Sequence, residues 1–193
     1  MEQLVSIIFV YILIDNFVLQ RFFGVCPLIN NAQRIESAMG MSMAMVLVMT
    51  LATPLSWLAY NLLLEPLGAG FLQIVVFVLI IILLGQIIER LLRKNNPNLM
   101  QGLGNIWPLV TPNCAVLAAV LLTVESNFSF IESIVFGFAA ALGFSLVLLI
   151  VSGIRDRLEV CRVPAPFQGA AITLIALGIL SFAFHGFSGM FTL

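Results

Sequence analysis

Cys26 and Cys114 are the residues of this chain best placed to do chemistry. Each sits in apolar sequence beside helix breakers, GVCPL at 24–28 and TPNCAVL at 111–117. A thiolate is a soft metal ligand and is costly to leave bare in an apolar medium. A single free cysteine is commonly a small buried apolar residue. Two of them, one in each half of the chain, read instead as half of a ligand set, because iron–sulfur clusters of the common kinds take four protein ligands. The other two would come from a second copy or from a homologous partner. The chemistry this points to is electron transfer inside a membrane.

Other residues qualify less strongly. Gly24 and Pro27 beside Cys26, and Thr111 and Asn113 beside Cys114, are the neighbours expected to shape and tune the two thiolates. Asp15 is the only acid deep in an apolar segment, and an intramembrane carboxylate is a candidate proton or Na⁺ site by default. It could also be a partner of Arg21, and the blander reading is that it caps a half-helix or contacts backbone in the break. Cys161 falls in a charged stretch, RDRLEVCR at 155–162, and reads as an incidental loop cysteine. His185, near the end of the last apolar segment, is expected to be hydrogen-bonded rather than a haem ligand. The methionines of 39–45 spread around a helix and are expected to pack. The small residues of 137–145 permit close helix approach, as at a subunit interface.

The elements that must position these residues are membrane helices. The chain has 193 residues, 62% hydrophobic and only 9% charged, with a mean hydropathy of +1.16. Soluble domains carry roughly 25% charged residues. Six nearly uncharged stretches recur: Leu4–Phe23, Ala38–Tyr60, Leu67–Ile88, Leu103–Val124, Ser133–Ile154 and Gly169–Phe191. A spanning helix needs about 20 apolar residues, and unalternated runs exclude a membrane β-barrel. The first stretch lacks a basic leader and a small-residue cleavage site, so it reads as a retained helix. The expected fold is all-α and polytopic, a single transmembrane domain of six helices.

Two of those helices read as broken. The first is clean from Leu4 to Ile14 and then meets Asp15-Asn16. The fourth opens through Gly102, Gly104, Pro108 and Pro112 before a clean run from Cys114 to Val124. Each clean run would span roughly 16 Å, about half a hydrocarbon core. Irregular backbone at that depth survives only where protein or a cavity covers it. Cys114 should therefore begin a half-helix in the protein interior, where the dipole favours an anionic ligand.

All eight basic residues lie in or beside the first, third and fifth connections: Arg21 and Arg34; Arg90, Arg93 and Lys94; Arg155, Arg157 and Arg162. Basic residues stay cytoplasmic in short loops, so both termini should face the periplasm. Three helices per half then insert in opposite senses, as inverted repeats of approximately 1–97 and 98–193. Asn16 and Asn113, and likewise Gly40 and Gly137, stand 97 residues apart. Inverted repeats with broken helices place sites near the membrane midplane.

These motifs resemble one family. DNFVL at 15–19, FGVCPL at 23–28, ESAMGM at 36–41 and PLVTPNCAVL at 108–117 are similar to the RnfA/NqrE family, and GIRDRL at 153–158, VPAPF at 163–167 and GFSG at 186–189 extend the resemblance over nearly the whole chain. The cysteine motifs look closer to the RnfA (RsxA) side. The resemblance implies a bacterial inner-membrane subunit of an Rnf-type ion-translocating ferredoxin:NAD oxidoreductase. It implies pairing with an RnfE-like homologue of opposite topology and a 2Fe–2S cluster shared between them, with Cys26 and Cys114 as this chain's two ligands. Iron–sulfur and flavin-carrying subunits would complete the electron path, coupled to Na⁺ or H⁺ transport. No complete active site would lie on this chain alone. Asp15, Pro112 and the NNAQ stretch at 30–33 depart from the usual family residues, which bears on how the site is tuned.

Other readings of the same residues are a secondary transporter, a structural membrane subunit, or a Cys26–Cys114 disulfide relay. A hydrolase triad, a phosphate loop and a nucleic-acid surface find no support in the sequence.

Overall fold

The structure, a computed structural model, describes residues 8, 10–14, 16–31, 35–65, 70–95, 113–126, 128–159, 161, 164 and 169–188. Asp15 and Thr111, and the expected first half of the fourth segment, lie outside them. Every described element is helical. A π-helical turn at Val10–Ile14 leads to α1 (Phe17–Arg21) and α2 (Val25–Asn31). The long α3 (Ile35–Ala59) ends in a second π-helical turn at Tyr60–Leu64. A 3₁₀ turn at Gly70–Leu72 opens α4 (Gln73–Asn95), followed by α5 (Cys114–Glu125), α6 (Phe130–Glu159) and α7 (Ala170–Ser188).

Among the described residues, three helices are long and apolar enough to cross a membrane: Ala38–Leu64, Gln73–Arg90 and Phe130–Leu158. The shorter Cys114–Glu125 and Ala170–Gly186 are also apolar. Each of the six expected segments thus contains described helix, interrupted in the first by Asn16 and Phe22. Burial shows what surrounds them. In α4, Phe77, Ile81 and Ile88 pack inward, while Ile74, Val75, Leu79, Leu83 and Ile87 are exposed. A helix that is apolar on both its packed and its exposed faces belongs in lipid.

The most extensive contact between described helices joins α3 to α6. They run antiparallel: Ser145 of α6 donates to the Ser42 carbonyl of α3 at 3.4 Å, while Gly137, about two turns earlier in α6, lies against Met49 and Thr53, further along α3. A Cβ at Gly137 would run into the Thr53 hydroxyl and sit 3.0 Å from the Met49 carbonyl oxygen. The small residues of 137–145 therefore serve packing within the chain, with Ala139, Ala140, Ala141 and Phe144 all fully buried. This corrects the expectation of a subunit interface there. The methionines divide by face, Met41 and Met45 buried and Met39 and Met43 exposed.

Several buried hydroxyls are satisfied inside their own helices, whereas those of Ser56 and Ser152 are buried without a hydrogen-bond partner. Ser42, Thr53, Thr123 and Ser145 donate to carbonyls four residues back, at 2.8, 3.1, 2.8 and 2.8 Å. This removes most of the cost of polar groups in an apolar interior. At one end of the α3–α6 pair, Trp57 Nε1 donates to the Phe128 carbonyl at 2.6 Å. At the other end, Arg155 Nη1 donates to the Ile29 carbonyl at 2.6 Å. The sequences flanking the second and fourth connections thus meet at one end, and those flanking the first and fifth at the other.

Substituting Gly137→Leu forces side-chain atoms into the α3 backbone. The expected result is a loss of about 1–3 kcal/mol, the usual range for overpacking, read as a lower thermal unfolding midpoint of the purified protein. Gly178→Leu, where a Cβ would meet open space, should leave that midpoint nearly unchanged.

Candidate functional site

The helix breaks are built around two asparagines. Asn16 precedes α1 and Asn113 precedes α5, both with extended backbone. The Oδ1 of Asn16 accepts from the Val18 N–H at 3.1 Å, and the Oδ1 of Asn113 accepts from the Ala115 N–H at 3.0 Å. Their carbonyls take the next donors: Leu19 and Gln20 for Asn16, Val116 and Leu117 for Asn113. An asparagine at this position satisfies donors that the helix itself leaves free. Both residues are buried.

Their amides reach across the molecule. Asn16 Nδ2 donates to the Ile12 carbonyl at 3.2 Å, released by the break, and to the Gly143 carbonyl of α6 at 3.0 Å. Asn113 Nδ2 donates to the Met45 sulfur of α3 at 3.3 Å. Each break is thereby pinned to the long helix of the other half. Gly143 is suited to this, since a Cβ there would lie 3.0 Å from the Tyr11 carbonyl oxygen and 3.1 Å from Asn16 Nδ2.

Cys114 is the first residue of α5, directly after its asparagine cap, as its Pro-Asn-Cys context leads one to expect. Cys26 is placed differently. The first segment breaks twice: α1 closes on Phe22 in a left-handed conformation (φ 55°), and Gly24, with φ 85°, turns the chain into α2. Cys26 and Pro27 then lie in the first turn of α2, where a proline costs no intrahelical hydrogen bond. In the repeat frame set by the asparagines, the residue that matches Cys114 is Phe17, so the two cysteines do not occupy equivalent breaks.

The two cysteine segments nevertheless meet. The Gly24 N–H donates to Cys114 Sγ at 3.1 Å, across 90 residues of sequence. Phe144 and Ala115 lie against Gly24, and both belong to a buried core with Phe17, Val18, Leu19, Leu28 and Val116. Both cysteines are themselves exposed on this chain. The expectation of interior segments holds for residues 16–19 and for most of α5, but residues 20–23 and both cysteines are exposed. Among the described residues, His, Cys, Asp and Glu form no group of three or more able to hold a metal ion. A pair of soft thiol donors with a backbone N–H aimed at one sulfur fits an iron–sulfur centre, where such bonds stabilise negative charge on sulfur.

Sequence reasoning missed several supports. Ser181 of α7 donates to the Leu19 carbonyl at 2.9 Å near the end of α1, and Arg155 holds the end of the cysteine-bearing α2. Arg155 was legible only as a topology signal, and Ser181 gave no signal. Cys161 is exposed beyond α6, and His185 sits in the last turn of α7.

A family model described as "Rnf-Nqr subunit, membrane protein" matches residues 4–191. A protein of Syntrophotalea carbinolica is 43% identical over 190 residues, 98% of both chains. One from Alkalilimnicola ehrlichii is 45% identical over 190 residues, again 98% of both. One from Cronobacter sakazakii is 46% identical over 179 residues, 93% of both. All three are named as the A-type member of an ion-translocating oxidoreductase complex.

The asparagine caps yield a graded expectation. Asn113→Ala should cost about 0.5–2 kcal/mol, the range for a lost cap, and Asn113→Ser should recover much of it. Asn16→Ala should cost more, because its amide also ties Ile12 and Gly143. Thermal unfolding of the purified protein checks the order.

Proposed function

The chain belongs to the Rnf-Nqr family of membrane subunits, and from that premise we propose that it is the A-type member of an ion-translocating oxidoreductase complex. In this reading, Cys26 and Cys114 supply two of the four ligands to an intramembrane 2Fe–2S cluster, and an RnfE-like homologue of opposite topology supplies the other two. The observation that carries the reading is the meeting of the two cysteine segments, both thiols exposed, on a buried and hydrogen-bonded framework. The names of the relatives support the complex. When bound, the cluster supplies a site that takes and gives one electron.

This chain's own residues hold and insulate that site. Asn113 fixes the start of α5, so the positive end of the helix dipole lies at the Cys114 sulfur. Arg155 donates to a carbonyl in the last turn of α2, the favourable end for a cation. Phe17, Leu28 and Phe144 exclude water, which lowers the local dielectric and strengthens every charge interaction at the sulfurs.

The arrangement in the membrane follows from charge. With the basic connections cytoplasmic, both termini lie in the periplasm of a bacterial inner membrane. Electrons then arrive from an iron–sulfur subunit on the cytoplasmic side and leave toward a flavin-carrying subunit on the outer side, coupled to Na⁺ or H⁺ movement. Residues 1–97 and 98–193 act as inverted repeats. The matched caps at Asn16 and Asn113, each tied to the long helix of the other half, support that relation.

Cys26→Ser and Cys114→Ser are each expected to abolish one 2Fe–2S electron paramagnetic resonance signal of the purified complex and to lower its iron content, with all subunits still assembled. An assembled complex with full iron and an unchanged spectrum would leave the transporter or structural reading standing instead.

A further inference from the structure

We infer that the backbone N–H of Gly24 is a tuning donor that raises the reduction potential of the centre held by Cys114, and that Phe144 and Ala115 clamp it there. The inference rests on the cluster reading above. Gly24 donates to Cys114 Sγ at 3.1 Å, within the range of a genuine sulfur hydrogen bond. Its φ of 85° is one that side-chain-bearing residues rarely adopt, and it is this turn that directs the N–H at the sulfur.

The turn is also locked sterically. A Cβ on Gly24 would lie 2.8 Å from Phe144 Cε2, 2.9 Å from Ala115 Cβ and 3.3 Å from Phe144 Cδ2. Phe144 is fully buried in α6 and Ala115 is fully buried in α5, so neither wall can swing away freely. Glycine is therefore required twice at one position, once for its backbone angle and once for its missing side chain. The donor is fixed before any metal binds.

The electrostatic consequence has a definite sign. Reduction adds one negative charge, part of which resides on the ligand sulfurs. The Gly24 N–H dipole favours that extra charge, so it stabilises the reduced state and raises the potential. Once a second chain covers the exposed sulfur, the lower local dielectric enlarges the effect. Gly24 touches only the ligand sulfur, which makes it a positioning residue that acts through Cys114.

The test uses the intact complex and redox titration followed by electron paramagnetic resonance. Cys114→Ser first identifies the signal belonging to this centre; if every signal survives that change, the cluster reading itself fails. Gly24→Ala is then expected to keep the identified signal and lower its midpoint potential, with a tenfold change in the one-electron equilibrium appearing as about 59 mV. A retained signal at the wild-type potential overturns the inference. Where Gly24→Ala yields no signal, Phe144→Leu is titrated instead. Loosening the clamp should lower the potential while leaving the backbone of Gly24 unstrained, and an unchanged potential overturns the inference.

Discussion

A helix that breaks inside an apolar interior must find partners for the backbone groups it releases, and the rest of this structure follows from how that is done. Asn16 and Asn113 each cap the helix that begins after them and use their amide to reach the opposite half of the molecule. Unsatisfied backbone in such a medium costs several kcal/mol per group. The caps therefore determine where the irregular backbone is allowed. The antiparallel α3–α6 pair supplies the rigid partners, and its small residues let the breaks approach closely enough to be held.

Once the breaks are fixed, the chemistry has little freedom. Cys114 must open α5, and the left-handed turn through Phe22 and Gly24 must bring α2 alongside it. Both thiols then face out of the chain while the backbone behind them stays buried. An arrangement of this kind suits a centre completed by another protein chain. The buried side supplies rigidity, a low dielectric and directed N–H groups, and the exposed side receives the remaining ligands. Polar residues converging on an internal cavity, which a secondary transporter would need, were scarce in the sequence beyond Asp15, Asn16 and Asn113.

What the sequence disclosed and what it withheld have a common physical basis. The start of α5 was legible because Pro-Asn before an apolar run is a local signal, and a cap acts within three residues. The membrane helices were legible because hydrophobicity is additive over a window. The second break in the first segment was legible in part: Gly24 and Pro27 mark it beside Cys26, but the phenylalanine before them, in a left-handed conformation, has no local signal. The contact of Gly24 with Cys114 spans 90 residues, and no local pattern encodes it. The stretch 137–145 showed that close packing would occur but not with what, because a small residue reports room and says nothing of the partner. Arg155 carried two roles at once, and only the topological one had a sequence signature.

The central claim is that Cys26 and Cys114 hold half of a cluster that a second protein chain completes. An electron cryomicroscopy map of the purified, anaerobically prepared complex examines this at the two sulfurs themselves. Strong density bridging both sulfurs of this chain to two thiols of a neighbouring homologous subunit is the predicted result. A closed Cys26–Cys114 disulfide, or two separate thiols packed against lipid or protein with no metal density between them, would contradict it.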